Sequence, residues 1–489
     1  MLTKTDFCSG AQCVRKYWLA QNKPEEAVNN KDDGALRNGR IVGEAARRYF
    51  KADVIVQFGS QEQMVKETEF YLDHNEKVIA EASFMSDEGF CSVDILINHG
   101  DKKVELYEVK SSKTTDEIKE IYKYDVAFQY RVLTRAGYDV FKACLVTING
   151  DYVRQGEVNG EELFSITDMT EDAIARWDEI GRIIESLKAE EEPNIGISMR
   201  CFDKGFHNCG FFDYCFGEPH PNIFDVAAMQ TRTKFKYLKA GARTFKDLEN
   251  VGIKDNYLMQ IRHELNDLPP EVDMDGIEAF LSQIRYPLYF LDFETVNPAV
   301  PFFDNSHPYQ QIVFQYSLHY YLEKGGELMH DEYIGWPGED PRRPICERLC
   351  EMIPDDACVI VYNKAFEQTR LKEMAELYPD LSEKLLRIRD NVVDLMEPFK
   401  HRLYYVKAMK GSASIKDVLP ALYPDDEELN YSNLEGVHHG GEAIEAFYLM
   451  ANASEEKLKE YRKQLFRYCW LDTYATVRVL EFLQNLKGD

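Results

Sequence analysis

The run Tyr289-Phe290-Leu291-Asp292-Phe293-Glu294-Thr295 is apolar and β-prone except at two positions, and both of those are acids. A strand sends side chains i and i+2 to the same face, so Asp292 and Glu294 stand side by side. Neighbouring carboxylates repel, and the pair is costly unless a divalent cation lies between them. The other reading is an edge strand whose acids face water. A second apolar run, Cys358 to Tyr362, reads as a buried strand and leads into a helical stretch that opens with Asn363 and carries Glu367. Residues 311–322 and 332–335 read as antiparallel partners of the first strand, with helices over 341–353 and 366–377. Helical periodicity over 458–483 puts Tyr468 and Asp472, four residues apart, on one face.

In the N-terminal half, alternation over Cys91–Ile97 and Val104–Ser112 flanks the turn Asn98-His99-Gly100-Asp101, which predicts a β-hairpin. Glu108 and Lys110 share a face of one strand, and Asp94 comes from the other. The two acids suit a metal ion, with the ammonium positioning an attacking water or steadying a phosphate. Thr114 or Thr115 offers an N-cap to a helix that ends near Gly137 and carries Gln129 and Tyr130. A helix over 36–50 bears Arg37, Arg40, Glu44, Arg47 and Arg48, either as a solvated basic face or as an entrance for phosphates. A further helix is expected over 170–190.

At 489 residues two or three domains are expected. No apolar run approaches the roughly 20 residues that cross a bilayer, and the N-terminus lacks a signal-peptide pattern. The expectation is a cytoplasmic protein with no membrane partner. Eleven cysteines are an odd number, which argues for thiols or metal ligands over a disulfide framework. Cys201, Cys209 and Cys215 fall within fifteen residues rich in Gly and aromatics, without helix or strand periodicity, so ligation is the better account. Cys13 is the expected fourth ligand, Cys8 competes with it, and His207 replaces a thiolate if the metal is Zn²⁺. Cys346 and Cys350, four apart on a predicted helix, read as core thiols. His438 and His439 open a helix and read as a polar loop or as metal ligands.

The net charge of −27 excludes non-specific coating of a duplex but not a local basic path. Arg232, Lys234, Lys236, Lys239, Arg243 and Lys246 lie within fifteen residues and alternate with aromatics, the best candidate in this acidic chain for tracking a nucleic-acid backbone. A helical linker with a solvated basic face explains the same residues.

Taken in order, Asp292-x-Glu294, Asn363-x-x-Phe366-Glu367 and Tyr468-x-x-x-Asp472 resemble the three motifs of the DnaQ-like, RNase H-fold DEDD exonucleases with tyrosine in the last motif. Glu367 stands where that family usually has Asp. The resemblance implies that Asp292, Glu294, Glu367 and Asp472 hold two Mg²⁺ or Mn²⁺ ions about 4 Å apart. It also implies that Tyr468 orients the attacking water and that nucleotides leave from a 3′ end. Asp394 and Ser414-Ile415-Lys416 resemble secondary elements of the same group.

Asp94, Glu108-x-Lys110 and the helix with Gln129 resemble the RecB-type PD-(D/E)XK nucleases. Gly43 stands where that family often has His, which leaves Glu44 or Glu81 as an additional ligand. One cysteine before these motifs and three after resemble the iron-sulfur RecB-like nucleases, including the CRISPR-associated four-cysteine nucleases. This implies a 4Fe-4S cluster, with Zn²⁺ as the alternative. The segment from Lys239 to Leu248 resembles a helix-hairpin element found beside such domains.

The whole order resembles a bacterial family of unknown function that fuses the two nuclease types. The expected fold class is α/β, with a PD-(D/E)XK restriction-endonuclease-like domain over 1–220, a helical basic region over 221–282 and an RNase H-like mixed-sheet domain over 283–489. The implied function is a two-headed nuclease acting on single-stranded or frayed DNA. The alternatives are an RNA exonuclease and a nucleic-acid binding protein with one or both heads inactive.

Overall fold

The computed structural model describes residues 1–28, 33–203 and 209–486. The chain forms two compact units, Met1–Pro219 with Pro298–Tyr309, and His220–Asn297 with Gln310–Asp489. Residues 221–282, expected as a region of their own, cluster within the second unit.

In the first unit six strands lie in sequence order: β1 Val54–Ile55, β2 Val78–Met85, β3 Phe90–Asn98, β4 Lys103–Lys113, β5 Asp139–Ile148 and β6 Phe164–Asp168. β3 and β4 form the expected antiparallel hairpin, and its turn takes positive φ at Gly100, Asp101 and Lys102. β4 and β5 are parallel, so a crossover must join them, and the helix Glu120–Arg135 supplies it. One sheet face packs on Phe7, Ala11, Phe128, Ile180 and Ile184. The other packs on Val42, Ala45 and Ala46, together with Ala299 and Val300.

Two helix boundaries differ from expectation. The crossover helix has Lys119, not a threonine, at its N-cap, because the threonines are engaged locally: Thr114 pairs with Thr147 and Ile148, and the Thr115 hydroxyl donates to the Glu117 carbonyl. The helix expected over 170–190 is two helices, Thr170–Ala175 and Trp177–Ser186, broken at Arg176, where ψ is 0°.

The second unit holds β7 Glu271–Val272, β8 Leu288–Val296, β9 Ile312–Tyr321, β10 Met329–Ile334, β11 Cys358–Val361, β12 Val392–Asp394 and β13 Tyr404–Tyr405. Five of them form a mixed sheet in the order β10-β9-β8-β11-β12, with β9 antiparallel to both neighbours and β8, β11 and β12 parallel. β7 pairs with β13. Leu288 and Phe290 pack against Leu471, Ala475 and Leu480 of the helix Glu455–Asn485. Tyr289, Leu291 and Phe293 face Ile345 and Leu349 of Arg342–Met352, and Leu371 and Met374 of Lys364–Leu377. Burial of β8 on both faces explains its near-continuous apolar run. It also makes two acids in that run conspicuous.

Cys346 is buried and Cys350 packs against the same core, so both are core thiols. Among the described residues, no helix is long and apolar enough to cross a membrane.

Candidate metal centres

Asp292 and Glu294 leave β8 on one face, and Asp472 reaches them from the helix Glu455–Asn485. One carboxylate oxygen from each of the three lies within 4.8 Å of the others. Burial holds the Asp292 carboxyl well above the ordinary range, and Asp472, Glu294 and Glu367 add to the effect. Burial also pushes Glu294 up to about 8, with Asp472 adding to the rise and Lys416 opposing it. Asp472 rises less, to about 6, because Tyr431, Lys416 and Tyr468 offset its burial. Glu367 stands beside this group. It is 2% exposed, its Oε2 has no hydrogen-bond partner, and burial pushes its carboxyl up to about 8. Four acids thus share one neighbourhood, opposed by Lys416 at Glu294 and Asp472 and by Arg370 at Glu367, and burial there favours their protonated forms unless a cation joins them.

β9 determines where Asp472 sits. Its residues Gln315, Ser317 and His319 are polar, fully or almost fully buried, and spaced to share a face. Glu294 pairs in register with Gln315 and Asp292 with Ser317. Gln315 Nε2 donates to the Leu465 carbonyl at 2.8 Å. Thr473 Oγ1 lies 2.6 Å from Ser317 Oγ and 2.7 Å from His319 Nδ1. These bonds pin the helix on either side of Tyr468 and Asp472. Tyr431 donates to Asp472 Oδ1 at 2.6 Å, and Cys469 Sγ lies 3.9 Å from Asp292 Oδ2.

The first unit gathers acids differently. Glu108, 1% exposed, accepts from Lys110 at 2.6 Å, from Lys4 at 3.0 Å on both oxygens, and from Gln129 Nε2 at 2.6 Å. Asp125 accepts from Lys110 at 2.6 Å and from Gln129 Nε2 at 2.8 Å. Burial alone would raise the Glu108 carboxyl, but Lys110 and Lys4 overcome it and hold the group well below the usual range. Asp94 accepts the Val109 N–H at 2.6 Å, and burial with Glu108 pushes its carboxyl up to about 7. Of the two candidates for an additional ligand, Glu44 is exposed. Glu81 lies within electrostatic reach of Glu108 and Asp94, and its φ of +57° falls where Ala80 and Ala82 pair with β3 but Glu81 does not. A non-glycine residue held there within a strand is a local strain of the kind found at functional sites. Arg47 lies 3.5 Å from Glu81, and Arg40 and Arg48 are exposed.

Cys13, Cys201, Cys209 and Cys215 line one cavity of about 330 Å³, together with Lys16 and Phe212. Arg15, Lys23 and Tyr214 all bond to Glu192, which clasps the N-terminal helices to the segment before the last cysteine. Burial raises the thiols of Cys201 and Cys209 and pushes Cys215 up to about 11. Cys8 does not line the cavity. It belongs with the acids, where burial and Asp125 raise its thiol. His207 lies outside the described residues.

Arg232, Lys236 and Lys239 are exposed at i, i+4 and i+7 of the helix Thr231–Lys239, on one face. Lys234 differs: its ammonium donates to the Phe224 carbonyl at 2.6 Å. Asn363 precedes the helix Lys364–Leu377 in a left-handed conformation, and its N–H donates to Asp394. Asp394 also accepts from Met396 N–H, so it braces this turn. His439 caps the helix Gly440–Met450, and Glu442 accepts from His438.

Sequence reasoning missed Lys4 and Asp125 in the first unit, and Tyr431, Gln315, Ser317 and His319 in the second. Asp125 had a signal, since it lies four residues before Gln129 on one helix face. The buried polar side chains of β9 had one too, as alternating polar residues in an apolar strand.

A family model described as a domain of unknown function (DUF2779) matches residues 289–414, a span that contains Asp292, Glu294, Asn363, Glu367 and Asp394 but not Tyr468 or Asp472. The chain is 28% identical over 400 residues to the uncharacterized protein MG366 of Mycoplasma genitalium, covering 71% of this chain and 58% of that protein. It is 27% identical over 265 residues to the uncharacterized protein UU173 of Ureaplasma parvum, covering 49% and 37%. It is 28% identical over 215 residues to the uncharacterized MG366 homolog of Mycoplasma pneumoniae, covering 40% and 32%. The chain therefore spans 58% or less of the length of these relatives. No solved structure matches.

Proposed function

We propose that this protein is a metal-dependent nuclease, with an RNase H-like exonuclease head in the second unit, a PD-(D/E)XK-like head in the first, and DNA ends as substrate. The observation that carries the reading is the convergence of Asp292, Glu294 and Asp472 within 4.8 Å from a strand and a helix far apart in sequence. The buried, partnerless Oε2 of Glu367 beside them supports it. The donors are all carboxylate oxygens, which suits a hard cation such as Mg²⁺ or Mn²⁺. Bound divalent cations would supply Lewis-acid chemistry to a phosphodiester, activating water and stabilising the departing oxygen.

The chain's own residues do the rest. Tyr468 and Tyr431 hold Asp472 in place, and the Tyr468 hydroxyl orients the water. Lys416 limits the negative charge of the group. Exposed Arg232, Lys236 and Lys239, with Asn363, are the residues we assign to the nucleic-acid backbone. Lys234, engaged by a carbonyl, is not among them.

In the first unit Asp94 and Glu108 would take the metal, with Lys110 and Gln129 in support. Cys13, Cys201, Cys209 and Cys215, which line one cavity, are the residues that would hold an iron-sulfur cluster, with Zn²⁺ as the alternative on the same thiolates.

Digestion of end-labelled DNA and RNA oligonucleotides with Mn²⁺ tests the reading. The wild type should shorten DNA from the 3′ end, Asp292→Ala should abolish that ladder, Lys110→Ala should remove any remaining cleavage, and the double variant should be inert. Preference for RNA would reassign the substrate. Failure of the wild type to cut either polymer would leave a binding protein.

A further inference from the structure

The Lys4 ammonium meets both carboxylate oxygens of Glu108. Lys4 Nζ lies 3.0 Å from Oε1 and 3.0 Å from Oε2 of Glu108, astride the carboxylate, where a chelated cation sits. It is also 3.8 Å from Asp125 Oδ1. Lys110 touches one oxygen of each acid, Glu108 Oε1 and Asp125 Oδ2, both at 2.6 Å. Gln129 Nε2 takes Glu108 Oε2 and Asp125 Oδ1.

The two oxygens of Glu108 therefore already carry four contacts, the number of lone-pair sites a carboxylate has. No cation can join Glu108 unless one donor leaves. Lys4 makes the two longest of the four contacts, at 3.0 Å against 2.6 Å for Lys110 and Gln129, and since Lys4 and Lys110 are similarly exposed, at 24% and 23%, contact length marks Lys4 as the donor that leaves. Gln129 is fully buried within the cluster, and its Oε1 has no hydrogen-bond partner. That oxygen is a neutral ligand held in reserve beside the acids.

We propose that the Lys4 ammonium occupies the divalent-cation seat of this centre, so that a metal ion binds Glu108 by displacing Lys4 while Lys110 stays. The proposal rests on the reading that the first unit takes a metal. Lys4 is then a positioning residue: it keeps Glu108 ionised and the cluster assembled until the cation arrives. Because Lys4 opens the helix Lys4–Gln12 and Cys13 follows at its other end, the same helix links the acids to the thiol cavity.

The test uses the full chain with the second centre silenced by Asp292→Asn and Asp472→Asn, and Mn²⁺ alone as the probe. Free Mn²⁺ is read by its paramagnetic resonance, and the lysines are footprinted with an amine-acylating reagent followed by mass spectrometry. Saturating Mn²⁺ should raise labelling of Lys4 several-fold and leave Lys110 unchanged. Lys4→Met should bind Mn²⁺ about tenfold more tightly, because no ammonium competes for the seat. If Mn²⁺ binds but Lys4 labelling does not change, the proposal is overturned while the metal reading stands. If neither the silenced chain nor its Lys4→Met variant binds Mn²⁺, both fall for this centre. The footprint reads native Lys4 and does not depend on whether the variant folds.

Discussion

In the first unit Glu108 lies between two ammonium groups, with Lys110 at 2.6 Å and Lys4 at 3.0 Å, and its carboxyl stays ionised. In the second unit Asp292, Glu294 and Asp472 face one another; burial holds Asp292 well above the ordinary carboxylate range and Glu294 at about 8, while Asp472 rises only to about 6. Both units bury acids on a central strand, yet in one the ammonium groups of Lys110 and Lys4 hold Glu108 ionised, whereas in the other Asp292 is raised by burial and by its own acidic neighbours. Burial alone therefore does not set the state of a carboxylate. What lies within about 4 Å of it decides the sign of the shift.

The largest expected effect sharpens the contrast directly. Asp292→Ala should lower 3′-end cleavage about a hundred- to a thousandfold, the order lost when a group acting on transition-state charge is removed. A 3′-end ladder that survives the substitution would remove the second unit's acids from the chemistry. Next in size is stability. Glu108→Gln leaves Lys4 and Lys110 with Asp125 as their remaining ion-pair partner in the cluster and should cost about 3 kcal/mol. Asp292→Asn in metal-free protein relieves repulsion and should stabilise by about 1 kcal/mol. Urea unfolding of the two variants in chelator compares them, and changes of the same sign would break the distinction between the units.

The pH dependence follows from the same contrast. Glu294 and Glu367 are held up to about 8 in the folded chain, so below neutral pH the folded state binds more protons than the unfolded one. Their contribution is fully present below the unfolded value near 4.5 and is lost as pH rises through about 8. Metal-free protein should lose stability from pH 5 to pH 9, Glu294→Gln should flatten the curve, and Mn²⁺ affinity should rise over the same window as protons cease to compete. Glu108 contributes in the opposite direction, since its folded value is depressed: its stabilisation is present above the unfolded value and lost only in strong acid. The smallest effect concerns the brace. Ser317→Ala removes the 2.6 Å contact to Thr473 and should cost about 1 kcal/mol, read as a shift in the urea midpoint.

Much of the fold was legible from local pattern. The β3–β4 hairpin, the acid-bearing β8, β11 and the long helix Glu455–Asn485 each follow from alternation or helical spacing, which neighbouring residues determine. The cavity shared by Cys13 and the later cysteines also had a signal, in three thiols without periodicity. The helix N-cap at Lys119 was not legible, because Thr114 and Thr115 are engaged in local hydrogen bonds, and nor was the break at Arg176. Nor was the loss of Lys234 from the basic face, which depends on where the Phe224 carbonyl lies.

By itself the sequence determined that Asp292 and Glu294 share one face, that Tyr468 and Asp472 share another, and that Glu108 and Lys110 stand together, since pleat and helix pitch operate over a few residues. Only the tertiary structure decided what each of them meets. Lys4 reaches Glu108 across 104 positions, Ser317 reaches Thr473 across 156, and Tyr431 reaches Asp472 across 41. Contacts of that range are set by how sheets and helices pack, and packing selects among many partners that local periodicity leaves equivalent.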